Sequence, residues 1–100
     1  MRLSQFQIDI INKLARKHFG QETTVYLFGS RTDDHKKGGD IDLFIHNKNE
    51  AALTVEAKIL FLAELKIKIG ERKIDVVFDN ASTRQKKIFY SSVISQKTEL

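Results

Sequence analysis

Val25-Tyr26-Leu27-Phe28-Gly29-Ser30 and, nine residues further on, Asp40-Ile41-Asp42-Leu43-Phe44-Ile45 frame the stretch on which the reading of this chain turns. Val25 to Phe28 contain no polar residue, so they are expected to form a strand buried on both faces and central in its sheet. The strand stops abruptly at Gly29-Ser30, and the nine intervening residues are polar or glycine. In the second run, alternation separates Ile41, Leu43 and Ile45, aimed at the core, from Asp40, Asp42 and Phe44 on the other face. The two acids then stand roughly 6–7 Å apart at Cα on one side of a strand. Aspartate is depleted in strands, and two on one face repel each other unless a cation bridges them. Their oxygens suit a hard divalent cation such as Mg²⁺, with other coordination positions left to water and phosphate. Gly29 lets the backbone turn, and Ser30 offers a hydroxyl and an amide to a phosphate group. A phosphate-holding loop beside a metal-holding strand points to nucleotide chemistry.

Working outward, Ser4 to His18 reads as a helix with Phe6, Ile10 and Leu14 as its apolar stripe, flanked by Ile11, Ala15 and His18. Lys17 and His18 suit its last turn, and Gly20 follows as a terminator. A long helix is expected from Ala51 to Ile69, ended by Gly70. Val55, Ile59, Leu62, Leu65 and Ile69 define one face; Leu53, Leu60 and Ile67 recur every seven residues on nearly the opposite side. A helix apolar on two sides is packed on two sides. The first helix is the expected cover for the second stripe, with a second copy or another protein as the alternatives.

Ile74 to Phe78 forms the third strand, with Asp75 its only charge; a buried lone carboxylate is costly unless paired or metal-bound. Ser82-Thr83-Arg84-Gln85 has capping-box spacing, so a last helix is expected from Ser82, with Ile88, Phe89, Val93 and Ile94 apolar and a frayed end. The fold class is therefore α/β of the α+β type, a small mixed β-sheet of at least three strands with helices packed on it. Residues 1–100 are expected to form one domain.

Composition excludes several functions. Of 100 residues 41% are hydrophobic and 30% charged, as in ordinary globular proteins. There is no cysteine, so no disulfide framework or thiolate metal site is available. The apolar segment from Leu53 to Ile69 is interrupted by Glu56, Lys58, Glu64, Lys66 and Lys68, which excludes a membrane span. With no signal-peptide pattern at the start, the expected location is cytoplasmic. The net charge of +4 is compatible with a nucleoside triphosphate or RNA, although the basic residues are scattered as on a solvated surface. No direct DNA binding is expected. The glycine-rich loop matches neither a Walker A motif nor an EF-hand. Arg31 either reaches a triphosphate or pairs with Asp33 or Asp34.

Gly29-Ser30 joined to Asp40-x-Asp42 resembles the signature of the polymerase-β-like nucleotidyltransferases, with one residue fewer between Ser30 and Asp40 than is usual there. With Gly29-Ser30-Arg31 and Gly38-Gly39-Asp40-Ile41-Asp42-Leu43, the chain looks like a minimal nucleotidyltransferase (MNT) over residues 25–78. The resemblance implies transfer of AMP from ATP to an acceptor hydroxyl with release of pyrophosphate. It implies two Mg²⁺ ions, or Mn²⁺, on Asp40, Asp42 and Asp75. Asp75 would serve the metal that activates the acceptor and help remove its proton, and Gly29, Ser30 and Arg31 would bind the nucleotide. Minimal nucleotidyltransferases are typically paired with HEPN-domain ribonuclease toxins, which they silence by adding AMP to a tyrosine. The implied role is antitoxin of a toxin–antitoxin pair. Two alternatives differ in class: a non-catalytic module that neutralises its partner by contact, or a homodimeric enzyme acting on a small molecule.

Overall fold

Ser4 starts the first helix, α1 (Gln5–Phe19), by a reciprocal cap. Its hydroxyl accepts from the Gln7 amide at 3.1 Å, and the Gln7 side-chain oxygen accepts from the Ser4 amide at 2.9 Å. Arg16, Lys17 and His18 occupy the last turn, and Gly20, at φ +117°, ends it. These features belong to a computed structural model that describes residues 3–29 and 41–100. The described elements continue with β1 (Thr24–Phe28), β2 (Ile41–His46), a 3₁₀ turn at Glu50–Ala52, α2 (Val55–Ile69), β3 (Ile74–Phe78), α3 (Ala81–Arg84), α4 (Lys87–Gln96) and β4 (Thr98–Glu99).

The four strands form one mixed sheet in the order β3-β2-β1-β4. β1 and β2 are antiparallel, β2 and β3 parallel, and β4 adds antiparallel to β1. The fold is the small mixed sheet with packed helices that the residue pattern implied. The final residues, expected to fray, instead pair with β1, with the Leu100 amide donating to the Val25 carbonyl at 2.9 Å.

Strand alternation divides the core. Val25, Leu27, Ile41, Leu43, Ile45 and Ile74 face α1 and α2, where Phe19 packs on Phe61 with ring centres 5.2 Å apart. On the other face Phe28 and Phe44 meet Val93 and Tyr90 of α4. Asn47, buried at the end of β2, donates to the Phe19 carbonyl and the Thr23 hydroxyl, which satisfies polar groups at the α1–β1 corner.

Three expectations are corrected. In α1 the buried row is Ile11, Leu14, Ala15 and Phe19, while Phe6 is 61% exposed. Phe19 reaches both Phe61 and Phe78, and seating that large ring rotates the first-turn phenylalanine outward. The long helix begins not at Ala51 but after Thr54, whose side chain accepts from the Ala57 amide at 3.0 Å. Leu53 thus lies in the connection and is buried there, detached from the stripe assigned to it. α2 buries Phe61 and Leu65, whereas Val55, Ile59, Leu60 and Ile67 stay exposed, so α1 does not cover the second stripe. The third correction is the helix from Ser82, which is two pieces. Asn80, not Ser82, caps α3 by accepting from the Thr83 amide, and α4 buries only Val93. No helix among the described residues is long and apolar enough to cross a membrane.

Candidate active site

Gly29 has φ +77°, a conformation that side chains other than glycine rarely adopt. It also stands against Asp42: a Cβ on Gly29 would lie 2.5 Å from Asp42 Oδ2. The close approach follows from pairing, because Phe28 is opposite Asp42 in the antiparallel β1–β2 register. The same row continues across the parallel pair, where Asp42 is opposite Asp75. Neighbouring strands lie about 4.8 Å apart, so the two carboxylates leave one face of the sheet side by side. Asp42 is half-buried and Asp75 exposed.

Of the residues expected to form the site, Gly29, Asp42 and Asp75 come together at one end of the sheet. Ser30, Arg31 and Asp40 lie outside the described residues. The premise about Asp75 needs correction: it is not buried, and among the described elements β3 stands at the edge of the sheet. Its closeness to a second carboxylate is what distinguishes it from an ordinary water-facing acid.

Around the pair is an open cleft of about 600 Å³, lined by Phe28, Asp42 and Asp75, by Lys58 and Leu62 of α2, and by Phe89 of α4. That volume falls in the range of small-molecule sites. Lys58 and Phe89 were not marked as site residues by the sequence. Lys58 reads there as one more polar residue on a helix, and only the packing of α2 beside β3 brings it to the acids. The donor set suits a hard divalent cation: two carboxylates in register on adjacent strands, and a glycine leaving room beside one of them. Among the described residues no group of three or more acidic, histidine or cysteine side chains is placed to hold a metal ion.

At the opposite end of the same face the sequence also missed a polar network. Asp79, just after β3, accepts from both Arg84 Nη1 at 2.9 Å and Tyr90 Oη at 3.4 Å, and its other oxygen meets His46 Nδ1 at 2.9 Å. Arg84 also donates to Glu50 at 2.8 Å. These bonds anchor α3 and α4 across the sheet, and α4 in turn holds Phe89 over the cleft, where its ring is 6.2 Å from that of Phe28.

The model of one family, polymerase beta nucleotidyltransferase, matches residues 9–100. No curated protein matches the chain. Among solved structures, one described as a toxin–antitoxin with AMP-PNP superposes with a TM-score of 0.68 at 23% identity, covering 92% of this chain and 70% of that one. Another, of a mutant of the toxin–antitoxin MntA-HpeT, gives 0.67 at 22%, with the same coverage. At these identities the likeness is one of fold.

Proposed function

Because the chain belongs to the polymerase β nucleotidyltransferase family, we propose that it transfers AMP from ATP to a hydroxyl acceptor on another protein. The observation that carries the reading is the row Gly29, Asp42, Asp75: a positive-φ glycine fitted against one carboxylate, with a second carboxylate in register beside it. A row of acids at the end of a strand pair has little structural use and suits a metal-bound triphosphate.

In this reading Asp40, Asp42 and Asp75 would hold two Mg²⁺ ions, or Mn²⁺, and Gly29, Ser30 and Arg31 would hold the phosphates. The bound cations would neutralise the charge of the triphosphate and of the oxygens between which the phosphoryl group moves. The acceptor oxygen forms a bond to the α-phosphorus as the bond to the bridging oxygen breaks, and pyrophosphate leaves. Asp75, nearest the sheet edge, takes the acceptor side and receives the hydroxyl proton. Lys58, across the cleft, adds positive charge where the polyphosphate is anionic.

For the acceptor we infer a tyrosine of a HEPN ribonuclease toxin, with the chain acting in the cytoplasm as the antitoxin. That the two neighbours are toxin–antitoxin structures, one with AMP-PNP, supports this role. The test is transfer of α-³²P-labelled AMP to such a partner by the native chain and by the Asp40→Asn/Asp42→Asn variant. Label lost together with neutralisation supports the enzyme. Neutralisation that survives the double substitution would mean inhibition by contact alone.

A further inference from the structure

β3 closes one side of the sheet without a neighbour among the described elements. Which of its backbone groups face outward follows from the ladder. The Ile41 amide donates to the Lys73 carbonyl at 3.0 Å, and the Asp79 amide donates to the Ile45 carbonyl at 2.8 Å. In a parallel pair, alternate residues of a strand send both backbone groups to the same neighbour. Lys73, Asp75, Val77 and Asp79 therefore bond β2, and Ile74, Val76 and Phe78 turn theirs toward the open edge. Such an edge is a template for another strand.

The edge is also a groove, and it leads to the acids. The cleft at Asp42 and Asp75 shares Lys58, Val76, Val77 and Phe89 with an adjoining cavity of about 270 Å³ that runs on to Lys86. Lys58 forms one bank, with its Nζ 5.7 Å from the centre of the Phe78 ring, and Lys86 and Phe89 form the other. A groove with a lysine on each bank attracts an acidic occupant.

We propose that the β3 edge receives an extended, acidic segment of the acceptor protein as a fifth strand, presenting its hydroxyl residue opposite Asp75. This inference rests on the transferase reading and adds how the acceptor is held. Side chains opposite one another in adjacent strands share a face, with Cβ atoms about 4.5–5.5 Å apart. The row would then run Phe28, Asp42, Asp75, acceptor, with the hydroxyl next to the outermost acid. Residues two positions away would pack on Phe89, and those on the other face against Leu62. Main-chain bonds supply affinity in such docking, and alternate side chains supply selectivity.

The experiment uses nine-residue peptides with a central tyrosine or serine, glutamates at alternate positions and valines between them. Each is made also with N-methyl groups on one or the other alternate set of amides. Binding to the native chain is followed by amide ¹H–¹⁵N shifts and fluorescence anisotropy. The expected result is that the peptides shift the amides of Ile74, Val76 and Phe78, and that N-methylation of one set only weakens binding about tenfold or more. Val76→Pro removes an outward donor and leaves the β2 ladder whole, as edge strands tolerate. It should weaken the peptide by about the same factor. Should that variant not fold, the two N-methylated sets decide on the native chain. Absence of the amide shifts, or binding indifferent to both N-methylated sets, overturns the proposal. Peptide docking on the edge with no AMP transfer from ATP would instead overturn the transferase reading and leave the docking surface standing.

Discussion

Gly29 and Asp42 are thirteen positions apart in the chain, yet they form one device. The glycine is required twice, by its φ of +77° and by the 2.5 Å that would separate its Cβ from Asp42 Oδ2. Gly29→Ala therefore has to strain the backbone and push the carboxylate aside. It should cost about 1–3 kcal/mol in a thermal melt and weaken Mg²⁺-dependent ATP binding measured by calorimetry. Asp42→Asn should remove most ATP binding without the loss of stability, because two acids and a triphosphate repel one another unless a cation is shared. Undiminished binding in EDTA would count against the site. Asp75→Asn should spare nucleotide binding more than turnover, since Asp75 lies on the far side of Asp42 from Gly29. Equal losses would move it to the triphosphate side. At this scale part of the proposed site was legible in the sequence: Gly29 and Asp42 are local patterns of a strand end and a strand face, and pairing brings them and Asp75 together, while Ser30, Arg31 and Asp40 lie outside the described residues. What it could not reveal is that Lys58 and Phe89 line the same cleft, because each arrives there through packing of a separate helix.

α2 shows what periodicity can and cannot decide. The helix has apolar residues around most of its circumference, so spacing alone defined two plausible stripes and neither contained Phe61. In the fold Phe61 is wholly buried, together with Leu65, and the rest of the helix is oriented by that ring. A ring of that size removes more apolar surface from water than any single aliphatic side chain in the stripes. The same competition explains α1, where seating Phe19 leaves Phe6 exposed. Boundaries failed for a different reason: Thr54 caps a helix that the expected start at Ala51 would have run through, and Asn80 caps one that was expected to begin two residues later, at Ser82. Neighbouring substitutions separate these effects. Phe61→Ala should destabilise the chain by about 3–5 kcal/mol, whereas Leu60→Asp, at a side chain 59% exposed, should stay within about 0.5 kcal/mol. Urea unfolding of the two variants against the native chain checks both, and a large loss for Leu60→Asp would mean that the outer face of α2 is covered in solution.

Across the whole molecule, the two faces of the sheet are secured by charge at their outer contacts, and pH acts on each from a different direction. On the α1–α2 side, Glu64 accepts from Lys17 at 2.9 Å and meets His18 Nε2 at 2.8 Å. Those partners, Lys17 first, hold the Glu64 carboxyl below its ordinary value of 4.5. A carboxyl depressed in the folded state stabilises fully above its unfolded value, and that contribution fades as pH falls through the folded one. On the α4 side the opposite holds. Burial foremost, and the nearby Asp79 carboxylate, push the Tyr90 phenol above its ordinary 10.0. Tyr26 is raised as well, by burial and then by Glu99 and Asp79. A phenol raised in the folded state stabilises below its unfolded value and loses that contribution as pH climbs through the folded one. Stability should therefore be level with respect to these groups between about pH 5 and pH 9, with one limb assigned to each face. Glu64→Gln should lower the melting temperature on the plateau, and its difference from the native chain should vanish as pH falls through the depressed folded-state value, where Glu64 becomes protonated. Tyr90→Phe should barely alter the plateau, since it gives up only a 3.4 Å hydrogen bond, but should flatten the alkaline limb. Because Tyr26 and Tyr90 are the only two tyrosines in the chain, near-ultraviolet absorbance of tyrosinate reports both directly. Native protein should titrate above the urea-unfolded chain, and superimposable curves would show that α4 does not hold this face closed.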